Sequence, residues 1–142
     1  MILLTGNSGF LGKSIVRNLS AKKISFLSIG RNIHSDIVCD LSIKIPIISK
    51  EIIDLVVHAA GKAHSIPKTS FEKIQFYEDN INITQNFLKG LEIAGYPKQF
   101  VFISSVAVYG RSTGDNILEN ESLEATDPYG LSKIQSEEIV LE

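Results

Sequence analysis

The chain has 142 residues, enough for one domain with a real core, and its 44% hydrophobic and 21% charged content is that of an ordinary globular protein. Fourteen basic and sixteen acidic residues leave a net charge of −2 with no basic run, so no nucleic-acid surface is expected, and the apolar runs are too short to span a membrane. The single Cys39 can form no internal disulfide, which fits a reducing cytoplasm; Met1 opens a strand directly, with no signal peptide expected.

Residues 1–4 are apolar and suit a buried parallel strand. They run into Thr5-Gly6-Asn7-Ser8-Gly9-Phe10-Leu11-Gly12, after which Ile15, Val16 and Leu19 recur at helical spacing over 13–19. Strand, glycine turn and helix together are the context in which a glycine pattern points to a phosphate site, the alternative being a strand-to-helix turn that is merely rich in glycine. Gly6 allows the sharp turn, Gly9 lets a pyrophosphate approach the backbone, and Gly12 lets helix pack on strand. The helix N-terminus then points free N–H groups at the phosphates. The spacing is GxxGxxG, not the GxGxxG of standard dinucleotide dehydrogenases.

A second strand is expected over 24–29. An acidic residue at its end would grip the ribose hydroxyls of NAD, but Gly30 stands there, followed by Arg31. Arg31 can pair with the 2′-phosphate of NADP, which tilts the reading towards NADP; as a solvated turn residue it would say nothing. Residues 37–41 read as a short third strand ending at Asp40 and Leu41, where Asp40 also suits a turn, and Pro46 limits any helix through 44–51.

Residues 53–61 are nearly continuous in apolar side chains, as a strand covered on both faces should be, and the small Ala59-Ala60-Gly61 end leaves room for a flat cofactor. His58 and His64 lack partners at metal-ligand spacing and read as packed or loop histidines. A long helix is expected over 69–95, with Phe71, Ile74, Ile81, Phe87, Leu88 and Leu91 offered to the core and Gly95 and Pro97 as its stop. Asn80 sits among these apolar residues as either a surface amide or a site residue. A fifth strand over 99–105 ends in Ser104 and Ser105, and a loop over 110–126 leads to Thr126-Asp127-Pro128, a helix start with proline at the first position. The result is a doubly wound parallel sheet of the Rossmann kind, with order 3-2-1-4-5.

The last helix opens Tyr129-Gly130-Leu131-Ser132-Lys133, and a spacing of four places Tyr129 and Lys133 on one face. A free tyrosine, with a pKa of about 10, falls short as a base at neutral pH by about 4 kcal/mol. A neighbouring ammonium closes part of that gap, and Ser105 can donate to the oxygen that gives up its proton. Alone, such a pair is no more than an exposed tyrosine and lysine on a helix.

TGNSGFLG, HAAG, SSVAVYG and YGLSK come in order at suitable distances. Together they resemble the extended short-chain dehydrogenase/reductase family, the NAD(P)-dependent epimerases and dehydratases of nucleotide sugars, over the whole chain. The resemblance implies Ser105, Tyr129 and Lys133 as catalytic residues for hydride transfer at a sugar carbon. It also implies cofactor contacts from Gly6, Ser8, Gly9, Phe10, Leu11, Gly12, Arg31, Asp40, Leu41, Ala59, Ala60, Gly61, Asn80, Ser104, Tyr129 and Lys133. Asp40 and Leu41 would flank the adenine, and Lys133 would hold the nicotinamide ribose.

Two departures bear on the reaction. The 4,6-dehydratases of the family carry an Asp-Glu pair where Val106 and Ala107 stand here. SSVAVYG looks like the 4-epimerases, whereas Gly30-Arg31 looks like the NADPH-dependent 4-keto-sugar reductases. A non-catalytic NAD(P)-binding module is the rival from another class. Members of the family carry a second, substrate-binding domain, so residues 1–142 are expected to be an incomplete dinucleotide-binding domain, inert alone, whose exposed sheet edge is open to a homodimer.

Overall fold

The computed structural model describes residues 1–63 and 67–142. Five short strands are set by apolar runs: β1 (Ile2–Thr5), β2 (Phe26–Gly30), β3 (Ile37–Val38), β4 (Leu55–His58) and β5 (Gln99–Phe102). All pair in parallel, in the order β3-β2-β1-β4-β5. Thr5 is level with Ile29 on one side and His58 on the other, and His58 with Phe102, so the carboxyl ends finish in one line. That line is where a doubly wound sheet places its ligand.

The helices are α1 (Phe10–Ala21), α2 (Ser70–Ala94) and α3 (Pro128–Leu141), with a short 3-10 turn at Val106–Tyr109. The β1–α1–β2 and β4–α2–β5 units run outwards from the sheet centre in opposite directions, so right-handed crossovers put α1 and α2 on opposite faces. Leu3, Ile29 and Val56 of the sheet meet Ile83, Phe87 and Leu91 of α2 in the main core, closed by Leu41, Ile48 and Ile53. Thr69 starts α2 with a capping box: its hydroxyl accepts from the Glu72 N–H at 3.1 Å, and the Glu72 carboxylate accepts from the Thr69 N–H at 3.2 Å. Asp127 caps α3 through the N–H groups of Tyr129 and Gly130, both at 3.0 Å, with Pro128 at the first helical position.

Three expectations are corrected. β3 stops at Val38, because the Asp40 carboxylate takes the Ser42 N–H at 3.0 Å and turns the chain. β5 ends at Phe102, before Ser104 and Ser105, since Ser105 caps the 3-10 turn. Phe71 and Ile74 do not enter the core; they are 73% and 58% exposed. The buried stripe of α2 instead runs Phe76, Asn80, Ile83, Thr84, Phe87 and Leu91, because polar residues on that face find partners inside the protein.

Candidate functional site

The glycine turn is held by backbone fit. Gly6 has φ of 75°, in the left-handed region, and a Cβ there would lie 2.6 Å from the carbonyl carbon and oxygen of Ala59. Gly12 is buried against the Gly6 carbonyl, which brings α1 close to the end of β1. The Gly9 N–H donates to the Gly6 carbonyl at 3.0 Å, and Gly9 is the N-cap of α1. No side chain caps that end, and no acidic residue lies in the first turn. Its first N–H groups are therefore left for an anion, the arrangement a pyrophosphate needs. Phe10, 90% exposed, and Leu11 stand out from the first turn of α1.

Beside the turn lies a cleft of about 190 Å³. It gathers Gly6, Ser8, Gly9, Arg31, Asp40, Leu41, Ala59, Ala60 and Gly61, nine of the residues predicted to touch the cofactor. Asp40 both turns the chain and faces the cleft. Partial burial pulls its carboxyl upwards, but the hydrogen bonds from Ser42, with Arg31 and Lys62 nearby, hold it below its ordinary value. Lys62 lines the cleft and was not anticipated; a cation directly after Ala59-Ala60-Gly61 was the available signal. Its ammonium pairs with Asp79. Its backbone is clamped by Asn80, which accepts from the Lys62 N–H at 2.7 Å and donates to the Lys62 carbonyl at 3.1 Å. Asn80 thus lies behind the cleft, not on its wall.

The second cluster forms where α3 meets the 3-10 turn. The Ser105 hydroxyl accepts from the Ala107 N–H at 3.2 Å. A Cβ on Gly130 would lie 2.8 Å from the Ala107 carbonyl oxygen, so the first turn of α3, with Tyr129, sits flush against the segment bearing Ser105. One turn on, Lys133 is buried; its Nζ donates to the Ile103 carbonyl at 2.8 Å, 4.6 Å from the Phe102 ring centre and 5.9 Å from that of Tyr129. Burial lowers its pKa to about 8, against a smaller upward pull from Glu137. A Cβ on Gly61 would lie 3.5 Å from the same Nζ, so Lys133 joins α3 to the cleft. Ser104 does not line the cleft; its hydroxyl donates to the Glu137 carboxylate.

A buried polar string runs behind both clusters. The Ala60 N–H donates to Thr5 Oγ1 at 3.1 Å, and Thr5 Oγ1 meets His58 Nδ1 at 2.7 Å. His58 Nε2 meets Thr84 Oγ1 at 3.3 Å, and Thr84 donates to Ser136 of α3 at 3.3 Å. With Thr5 on Nδ1 and Thr84 on Nε2, both ring nitrogens of His58 have a hydroxyl partner, so either neutral tautomer is satisfied. Burial, then the Lys133 charge, lower the His58 pKa to about 3, so the ring is neutral, stacked 4.8 Å from Phe87. His64 lies outside the described residues; among those described, no three His, Cys, Asp or Glu side chains are grouped to hold a metal.

This glycine turn and this tyrosine–lysine helix lie at the carboxyl ends of one doubly wound sheet, where that class of fold binds its ligand. The profile of the NAD dependent epimerase/dehydratase family matches residues 2–142, and the chain belongs to that family. It is 30% identical over 150 residues to a UDP-glucose 4-epimerase of Vibrio cholerae, covering 96% of this chain and 44% of that protein. It is 28% identical over 148 residues to a GDP-6-deoxy-D-mannose reductase of Pseudomonas aeruginosa, covering 99% of this chain and 46% of that protein. Among solved structures, RMD from Pseudomonas aeruginosa complexed with NADPH superposes with a TM-score of 0.74 at 26% identity, covering 99% of this chain and 48% of that one. The chain spans about half the length of the curated relatives it matches. No helix among the described residues is long and apolar enough to cross a membrane.

Proposed function

We propose that the chain is the NAD(P)-binding, catalytic-base half of a nucleotide-sugar enzyme of the UDP-sugar 4-epimerase kind. The observation that carries the reading is Lys133, whose buried ammonium lies 5.9 Å from the Tyr129 ring centre and 3.5 Å from a Cβ built on Gly61 of the cleft. The residues present fit a dinucleotide: α1 offers an uncapped N-terminus to the pyrophosphate, and Asp40 and Leu41 border the adenosine end. Arg31 lines the same cleft and would pair with a 2′-phosphate. A bound nicotinamide supplies hydride acceptance and return. Tyr129 would remove the proton from the sugar hydroxyl, Ser105 would donate to that oxygen, and Lys133 would present positive charge beside the phenol and hold the nicotinamide ribose. Epimerisation requires the hydride to return to the opposite face of the same carbon. Positions 106 and 107 offer no carboxylate for the proton transfers of water loss.

A second reading, an NADPH-dependent 4-keto-sugar reductase, is favoured by Gly30-Arg31: no carboxylate repels a 2′-phosphate there. In both readings the sugar pocket is completed by residues outside these 142, and a homodimer and a cytoplasmic location belong to the same proposal.

Calorimetric titration of the chain with NAD⁺, NADP⁺, NADH and NADPH tests the cofactor half. Turnover of UDP-sugars by the full-length protein tests the chemistry: Tyr129→Phe should cut it by a factor of about 100 or more while dinucleotide binding persists. Unchanged turnover in that variant would remove Tyr129 from the mechanism, and dinucleotide binding without any turnover would leave a non-catalytic module.

A further inference from the structure

The end of β2 holds more than an absent acid. Gly30 borders the cleft, and a Cβ built on it would lie 2.6 Å from Asn7 Oδ1 and 2.9 Å from Ser35 Oγ. Those two groups are themselves joined: Asn7 Nδ2 lies 3.2 Å from Ser35 Oγ, and Ser35 Oγ lies 3.4 Å from Asn7 Oδ1. Ser35 is buried, and its N–H is tied to the Asn32 carbonyl at 2.9 Å. The pair therefore links the glycine turn to the β2–β3 loop across the very space a side chain on residue 30 would enter.

We infer that Asn7 is a cofactor-specificity residue: its amide, bonded to Ser35, occupies the place of the ribose-gripping carboxylate and keeps position 30 as glycine. The inference rests on the reading that the cleft takes the adenosine half of NAD(P). A side chain on residue 30 would crowd both partners of the Asn7–Ser35 hydrogen bond, so an aspartate introduced alone must push the Asn7 amide aside before it can reach a ribose. The choice between NAD and NADP is thus made by residues 7, 30 and 31 together, and not by the end of β2 alone. A bidentate grip on the two ribose hydroxyls requires both a carboxylate at 30 and a small residue at 7.

A double-mutant cycle on the chain tests this, with NAD⁺ and NADP⁺ affinities read by calorimetry for the unsubstituted protein, Asn7→Ala, Gly30→Asp and the double variant. Gly30→Asp should weaken NADP⁺ about tenfold or more and gain nothing for NAD⁺, and Asn7→Ala should still prefer NADP⁺. The double variant should bind NAD⁺ about tenfold more tightly than Gly30→Asp. Full gain of NAD⁺ affinity by Gly30→Asp alone overturns the inference and leaves the cofactor reading intact. No binding of either dinucleotide by the unsubstituted chain overturns the cofactor reading and the inference with it. A ligand-free measurement stands beside these: Gly30→Ala should lower the melting temperature more with Asn7 present than with alanine at position 7. An equal drop in both backgrounds also overturns the inference.

Discussion

The two ends of the site are built from different materials. At the glycine turn, Gly6 and Gly12 bring main chain against main chain, and the Asn7 amide ties the turn to Ser35 of the β2–β3 loop. At α3, the arrangement depends on buried side chains that hydrogen-bond one another: His58 with Thr5 and Thr84, Thr84 with Ser136, and Asn80 with Ser132. A backbone fit tolerates no added atom but is indifferent to pH. A buried polar string tolerates a change of shape better, yet it contains the group most sensitive to protonation.

The largest effect is expected at the turn. Gly6→Ala places a methyl 2.6 Å from the Ala59 carbonyl on a residue with φ of 75°, so it combines a backbone clash with an unfavourable conformation. It should cost roughly 3 kcal/mol or more, read as a lower urea midpoint. The loss should be the same at pH 5 and pH 7. A pH-dependent loss would show that the turn leans on a titrating group and blur the distinction between the two ends.

The α3 end should instead respond to acid. Unfolded, His58 takes a proton below its ordinary pKa of 6.5; folded, it does so only at about 3. Between those values the unfolded chain binds more protons, so this contribution to stability is complete above pH 6.5 and is lost as the pH falls towards 3. At pH 5 the loss amounts to about 2 kcal/mol. His58→Gln should lower stability at pH 7 and flatten this part of the pH profile, as measured by urea titration across pH 4.5 to 7 (roughly the window between the two states). An unchanged acid slope would place the sensitivity in carboxylates elsewhere.

The same division explains what could be read from the residues alone. Sheet order and the glycine turn were legible because apolar runs, GxxGxxG and connection handedness are local or generic. The tyrosine–lysine spacing was legible for the same reason. The polar face of α2 was not: Asn80 and Thr84 break an apolar pattern, and only their partners on β4 and α3 explain their burial. Phe71 and Ile74 look like core residues by spacing, yet they are exposed. The contact of Asn7 with Ser35, and of Ser104 with Glu137, joins residues 28 and 33 positions apart, beyond the reach of any local pattern.

Gly61 offers the smallest effect on folding and the sharpest test of how the two ends meet. Its backbone needs no left-handed conformation, and an added Cβ would make only ordinary contact, 3.5 Å from Lys133 Nζ and 3.6 Å from Asn80 Oδ1. Nothing in the fold demands glycine at that position, unlike Gly6. Gly61→Ala should therefore leave stability within about 0.5 kcal/mol of the parent chain. The methyl would nevertheless stand beside the ammonium that the proposed mechanism sets against the nicotinamide ribose. Dinucleotide affinity should then fall about tenfold with no change in melting temperature. Such a split would mark Gly61 as shaped by the ligand, and the turn glycines as shaped by the chain. Affinity unchanged by Gly61→Ala would mean that the dinucleotide does not reach Lys133, and the glycine turn and α3 would be two neighbouring structures instead of one site.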